Sequence, residues 1–157
     1  MSGNDTAGVI APPPLLALGA ILCAWGMEQV APSGLIAPGS WRWGPALVFI
    51  VSGVSFMAAA FTSFGRAGTA VRTHEPSTAL VTTGVYGLVR NPIYVGFFLI
   101  LIGIAFATGW AWLLLFAAVF MGVIHWGVVR REERYLTARF GEAYGGYLRR
   151  VRRYGLF

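Results

Sequence analysis

The sequence predicts an all-α membrane protein, with about four transmembrane helices and a C-terminal basic amphipathic helix. Three observations lead there. Of 157 residues, 57% are hydrophobic and only 11% charged, whereas soluble domains carry about 25% charged residues. Four apolar stretches come near the roughly 20 residues that cross a bilayer. All 12 cationic residues are arginines, and they cluster in particular loops. Period-2 alternation is absent. Since only helices and closed barrels satisfy a backbone in hydrocarbon, helices are the reading.

The first span runs from about Pro14 to Val30, "PLLALGAILCAWGMEQV". No basic region of a signal peptide precedes it, so it is expected to stay. The second runs from about Pro45 to Phe64, the third from about Pro92 to Thr108, and the fourth from about Trp110 to Val129. Trp41, Trp43, Trp110 and Trp112 lie at segment ends, where interfacial aromatics collect. Gly109 and Trp110 leave almost no room for a loop, so spans three and four should form an antiparallel hairpin. Gly96, Gly103, Gly122 and Gly127 should let helices approach closely.

Orientation follows from arginine. The loop 31–44 holds only Arg42, the loop 65–91 holds three arginines, and the tail after Val129 holds eight. Cationic loops are cytoplasmic, which places both termini and the loop 65–91 inside, in a multi-pass protein of the inner (cytoplasmic) membrane. An even number of spans agrees with this. Length points to one domain over 1–157, with a two-helix part over 1–64 and the chemistry-bearing part over 65–157.

Several classes lose support. Cys23 is alone, so no internal disulfide or cysteine-rich metal site forms. His74 and His125 are far apart, which gives a zinc site little footing. The tail "RREERYLTARFGEAYGGYLRRVRRYGLF" carries a net charge of +5. Tyr135, Leu136, Phe140, Tyr144, Tyr147, Leu148 and Val151 recur there at roughly helical spacing, with a break expected at Gly145–Gly146. A basic amphipathic helix that follows directly from a span suits an anionic leaflet better than nucleic acid.

The stretch "GVYGLVRNPIYVG", residues 84–96, interrupts the apolar chain. Pro92 fits the first turn of a helix, which makes Asn91 its N-cap. Arg90 then sits at the cytoplasmic interface, between Tyr86 and Tyr94. These residues read either as a plain helix start or as part of a site. For a site, the hairpin brings the start of span three beside the end of span four, where Glu132 and Glu133 lie. On a continuous α-helix His125, Val129 and Glu132 share one face. Tyr86, Asn91 and Tyr94 can then face Glu132, and such polar groups at membrane-surface depth make a ligand site. Glu133 has two readings, as a partner of Arg130 or Arg134 or as a catalytic carboxylate. His125 also has two, as a packed histidine bonded between helices or as a catalytic group.

"STALVTTGVYGLVRNPIYVG" resembles the cofactor segment of the integral-membrane methyltransferases, the isoprenylcysteine carboxyl methyltransferases and phospholipid N-methyltransferases. That family continues with an apolar hairpin, then E-E-x-x-L, then F-G-x-x-Y-x-x-Y. This chain supplies "EERYL" at 132–136 and "FGEAYGGY" at 140–147, in the same order. The resemblance covers about Thr78 to Arg153. It implies S-adenosyl-L-methionine bound on the cytosolic side by Thr78, Leu80, Val81, Gly84, Tyr86, Arg90, Asn91, Pro92, Tyr94 and Glu132. The candidate catalytic residues are Glu133, His125 and Arg131. Two departures matter. Asn91 stands where the stricter pattern has histidine, and an amide bonds but takes no proton. Val128 stands where the carboxyl methyltransferases place an arginine for the substrate carboxylate.

The expected activity is methyl transfer from S-adenosylmethionine to a membrane lipid or lipophilic small molecule that enters sideways, with the tail as a lid. Two other readings are an NADPH-dependent sterol-type reductase, whose C-terminal motifs are similar, and a non-enzymatic membrane scaffold.

Overall fold

A computed structural model describes residues 10–68 and 80–155, so Thr78 lies outside the described residues. Among the described residues the architecture is all-helical. Helix α1 spans Pro13–Val30, α2 Trp43–Ala67, α3 Pro92–Thr108, α4 Trp112–Ile124 and α5 Arg130–Arg150. Short 3-10 turns at Ser40–Arg42 and Gly84–Gly87 precede α2 and α3. A π-turn, His125–Val129, joins α4 to α5 without a loop. The protein is an integral membrane protein. Among the described residues three helices are long and apolar enough to cross a bilayer, and α3 is a shorter apolar helix of 17 residues, about 26 Å at 1.5 Å per residue.

The four apolar helices follow the sequence reading closely. Proline opens α1 and α3, as its missing N–H and fixed φ allow. Gly109 ends α3 in the left-handed region (φ 82) and returns its N–H to Ala105. The chain then turns within three residues into α4, which completes the expected hairpin. In space the order is α2, α3, α4, α1. Leu101, Leu113, Ile124, Val128 and Val129 are fully buried between these helices. Leu15, Leu22, Leu47 and Val51 point outward, as lipid-facing side chains do. Association of such helices depends on close packing rather than on expulsion of water.

The α2–α3 contact is the tightest. A Cβ on Gly53 would lie 2.6 Å from the Gly96 carbonyl oxygen, and one on Gly96 would lie 2.8 Å from that of Gly53. Gly103 packs likewise on Ala46. The expectation of close approach holds for Gly96 and Gly103. It fails for Gly122, which meets Trp126 of its own helical run, and for Gly127, which meets Ile10 before α1.

At the opposite end from the glutamate pair, Glu28 closes α1 onto α4. Its carboxylate accepts from the Ser33 hydroxyl at 2.7 Å and from the Trp112 amide at 3.4 Å. An acid at the start of a helix is favourably placed against the helix dipole.

The tail differs from its expected form. The break lies at Gly141 (φ 52, ψ −126) and not at Gly145–Gly146, which stay helical. A side chain at that φ would be strained, so the turn is available to glycine. The second half of α5 folds back. Tyr144, Tyr147 and Val151 form a buried cluster that packs Leu80. Leu80, from the segment before α3, packs on this part of the tail's apolar face together with Leu136, Phe140 and Leu148.

Candidate functional site

The site is assembled where the start of α3 meets the start of α5. The segment from Leu80 to Asn91 reaches it along the end of α2. Val81 and Tyr86 are buried with Ala60, and the Tyr86 ring meets Phe64 edge-on at 5.3 Å. Gly84 holds φ 65, and a Cβ there would lie 2.7 Å from the Ser63 hydroxyl. Burial holds the Tyr86 phenol well above its ordinary pKa, and Glu132 adds to the shift. Tyr147 donates its hydroxyl hydrogen to the Tyr86 carbonyl at 2.7 Å, which clamps the 3-10 turn under α5.

Pro92 opens α3 and is fully buried, so Tyr94 projects from the first turn. Its hydroxyl donates to Glu132 Oε1 at 2.9 Å. This bond spans 38 residues and joins the two halves of the hairpin at their charged ends. Glu132 lies beyond the apolar span, past Arg130 and Arg131. Burial pushes its carboxyl up to about 7, and the bond from Tyr94 only partly offsets that rise. A carboxylate that titrates near neutrality beside two tyrosines can hold a cation or exchange a proton.

Glu133 takes a different direction. Arg153 Nε and Nη2 donate to its two oxygens at 2.9 and 2.7 Å, and Arg90 Nη1 lies 3.3 Å away. The expected partners, Arg130 and Arg134, are replaced by two arginines from other parts of the chain. Arg130 and Arg134 are exposed and bonded to each other instead, the Arg134 Nε donating to the Arg130 carbonyl. The Arg153 guanidinium is stabilised by Glu133, which raises its pKa.

Asn91 occupies the N-cap position of α3, but its side chain makes no capping bond. Its Nδ2 donates instead to the Arg153 carbonyl at 3.1 Å. The neighbouring Arg90 amide donates to the Arg152 carbonyl at 3.0 Å. The arginine-proline motif therefore ties down the C-terminal segment. Asn91 is thus the N-cap residue the sequence predicts, but the expected capping bond is not made, and its side chain turns to the C-terminal segment instead.

His125 does not share a face with Glu132. The π-turn holds one residue more than an α-turn, so everything after it rotates by about 100° relative to a straight helix. Seven residues no longer bring a side chain back to the same face. His125 Nδ1 shares a hydrogen bond with the Tyr154 hydroxyl at 3.0 Å, and its ring meets Trp126 edge-on. His125 therefore faces the Arg153–Tyr154 segment, not a neighbouring helix. Val129, expected on the shared face, is fully buried. Arg131 sits half-buried beside Glu132.

Of the expected site residues, Tyr86, Tyr94 and Glu132 come together, while Arg90, Asn91, Glu133 and His125 surround the C-terminal segment. Leu80, Val81, Gly84 and Pro92 form the supporting wall. Arg153 and Tyr154 were not expected. Tyr144 and Tyr147 were signalled by the two tyrosines of "FGEAYGGY", read there as helix spacing. Among the described residues no cluster of three or more metal-ligating side chains occurs.

Residues 41–143 match the family model for phospholipid methyltransferase. Over 73 residues the chain is 38% identical to a protein-S-isoprenylcysteine O-methyltransferase of Schizosaccharomyces pombe (strain 972 / ATCC 24843). The match covers 46% of this chain and 30% of that protein, so the chain spans under a third of its relative's length. No solved structure matches the chain.

Proposed function

The chain belongs to the phospholipid methyltransferase family, and on that premise we propose that it is a membrane-embedded S-adenosylmethionine-dependent methyltransferase acting on a lipophilic or amphipathic acceptor. The observation that carries the reading is the Tyr94–Glu132 bond. It joins the arginine-proline motif to the glutamate pair across the hairpin. These are two of the three motifs on which the family resemblance rests.

The residues present fit the cofactor. S-adenosylmethionine supplies a methyl group already activated on a sulfonium. Glu132 offers a carboxylate to its positive charge or its ribose hydroxyls, and Tyr94 fixes the orientation of that carboxylate. The Tyr86 ring lies on the same side. Leu80 and Val81 supply an apolar wall, and the tail keeps water out. A dry pocket strengthens each electrostatic contact inside it, and rigid placement of the acceptor within reach lowers the barrier further.

The acceptor is proposed to be neutral or cationic, such as a lipid amine, rather than a carboxylate. Val128 is fully buried where the carboxyl methyltransferases place their arginine. Arg90 and Arg153 are both engaged with Glu133. The lining carboxylate, Glu132, would repel an acid. Arginine distribution supports a cytoplasmic site and cytoplasmic termini in an inner membrane, with eleven arginines on that side against Arg42 alone. The acceptor then enters from the bilayer and the cofactor from the cytosol.

Calorimetry tests the reading. Purified protein is titrated with S-adenosylhomocysteine and with NADPH. Heat with the first alone is expected. Heat with NADPH alone would establish the reductase reading, and no heat with either would leave a scaffold.

A further inference from the structure

The last described residues form a strap. Helix α5 ends at Arg150, Val151 is extended (φ −117, ψ 132), and residues 151–155 carry no regular helix. The strap crosses the Arg90–Asn91 end of α3. Its backbone accepts from the Arg90 amide and from the Asn91 side chain. Its side chains hold Glu133 and His125 on the other flank. Tyr154 of the strap lies within electrostatic reach of Tyr94 and Glu132. Tyr154 is half-buried within the field of both carboxylates.

The attachment is almost wholly polar. Among the described strap residues, only Val151 enters a buried apolar cluster. Polar bonds can be exchanged for bonds to water at small net cost, whereas a packed apolar anchor cannot. The ion pair is also built to be opened. Breaking a buried pair is costly when it strands a charge. Here Glu133 is shared, so release of Arg153 leaves it paired with Arg90. The Arg153 side chain is 32% exposed and Arg90 12%, so Arg153 is the partner that can swing into water.

We infer that Arg153 is the latch of a strap that opens and closes over the Tyr94–Glu132 pair, with Glu133 passing from Arg153 to Arg90 as it opens. The strap's opening sets how fast a cytosolic ligand enters and leaves. Only the ligand's identity rests on the function proposed above. Arg153 is a positioning residue in this scheme. Asn91 anchors the strap's backbone, and the strap moves beyond Val151, whose burial with Tyr144 and Tyr147 holds α5 itself in place.

The test uses the full chain in lipid nanodiscs and a readout that needs no ligand. The Arg90 amide is protected by the Arg152 carbonyl, so its hydrogen exchange reports strap opening. Arg153→Ala should speed that exchange about tenfold, the weight of one charge-assisted pair, with Arg153→Lys between the two. Amides inside α3, such as that of Leu101, should not change. Raising the salt concentration should speed Arg90 exchange in the parent, which covers the case in which Arg153→Ala does not fold. Unchanged Arg90 exchange in both experiments overturns the latch. In a second arm, stopped-flow mixing with S-adenosylhomocysteine should show faster association and faster dissociation in Arg153→Ala. Faster dissociation alone would make Arg153 a fixed wall and sink the gate. If the parent binds no S-adenosylhomocysteine, the proposed cofactor fails, while Arg90 exchange still decides the latch.

Discussion

Replacing Glu132 by glutamine removes one charge and little else. The amide oxygen can still accept from Tyr94, so the fold of the cleft should survive. What disappears is the anion facing a cationic cofactor. Losing one charge-assisted bond costs roughly 1.5–3 kcal/mol, about tenfold to over a hundredfold in affinity. Calorimetric titration with S-adenosylmethionine, which carries the sulfonium charge that S-adenosylhomocysteine lacks, should show that loss, and methylation should nearly stop. Glu133→Gln removes an equal charge one residue away and serves as the control. Its effect should fall on exchange rates through the strap more than on equilibrium affinity.

The same carboxylate predicts a pH dependence. Its pKa is raised from an ordinary 4.5 to about 7. Roughly a tenth of the empty protein then carries the charge at pH 6 and roughly nine-tenths at pH 8. A ligand that needs the ionised form should bind more tightly as pH rises through about 7, by up to about tenfold across that interval. Stability runs the other way. A raised carboxyl pKa means that the folded state favours the proton, so ionisation opposes the fold progressively above pH 4.5. Glu132→Gln should therefore raise the thermal midpoint at pH 8, leave it unchanged at pH 4, and abolish the pH dependence of binding. A glutamine variant that binds as tightly as the parent, or a parent whose affinity is flat from pH 6 to 8, refutes the assignment of Glu132 to the cleft.

Three further outcomes follow from the geometry. Gly96→Ala places a Cβ 2.8 Å from the Gly53 carbonyl and should cost about 1–3 kcal/mol as α2 and α3 separate, read as a lower melting temperature in detergent; an unchanged midpoint would deny the close contact. Asn91→Asp sets a carboxylate against the Arg153 carbonyl and should speed Arg90 amide exchange, whereas a true N-cap would tolerate aspartate without loss. Gly141→Ala should destabilise by about 1–2 kcal/mol because of its positive φ, while Gly145→Ala, in regular helix, should be neutral or stabilising.

Much of the fold is legible in the sequence because a membrane imposes strong local rules. Length and hydropathy delimit α3 to the residue, since Pro92 starts it and Gly109 ends it. The hairpin follows from the lack of any chain to spend on a loop. Less of the glycine packing is legible. Gly96 and Gly103 were visible as small residues on an apolar helix, but so were Gly122 and Gly127. Only the arrangement of neighbours tells an interhelical contact from a glycine beside its own tryptophan. Gly53, the partner that makes the α2–α3 contact so close, carries no distinguishing local signal.

Several residues that the fold gathers at the candidate site were singled out in the sequence, but their mutual geometry was not legible there, and the π-turn is the main reason. Hydrophobic periodicity runs through His125–Val129 without interruption, because the turn's buried residues, Gly127, Val128 and Val129, are as apolar as the helix around them. Nothing in those five residues announces an extra residue per turn. Its consequence is nonetheless decisive. In a straight helix His125 would stand above Glu132, and the histidine would be a natural proton acceptor for the cleft. Neighbouring residues on a helix point about 100° apart, so the two glutamates face different directions, and the π-turn decides that His125 accompanies Glu133 rather than Glu132. Glu132 turns inward to Tyr94, and Glu133 turns with His125 toward the strap. On the proposed reading the acidic pair contributes one carboxylate to the cofactor site and one to the latch of the strap. A single register shift in the fourth helix suffices to take His125 away from Glu132.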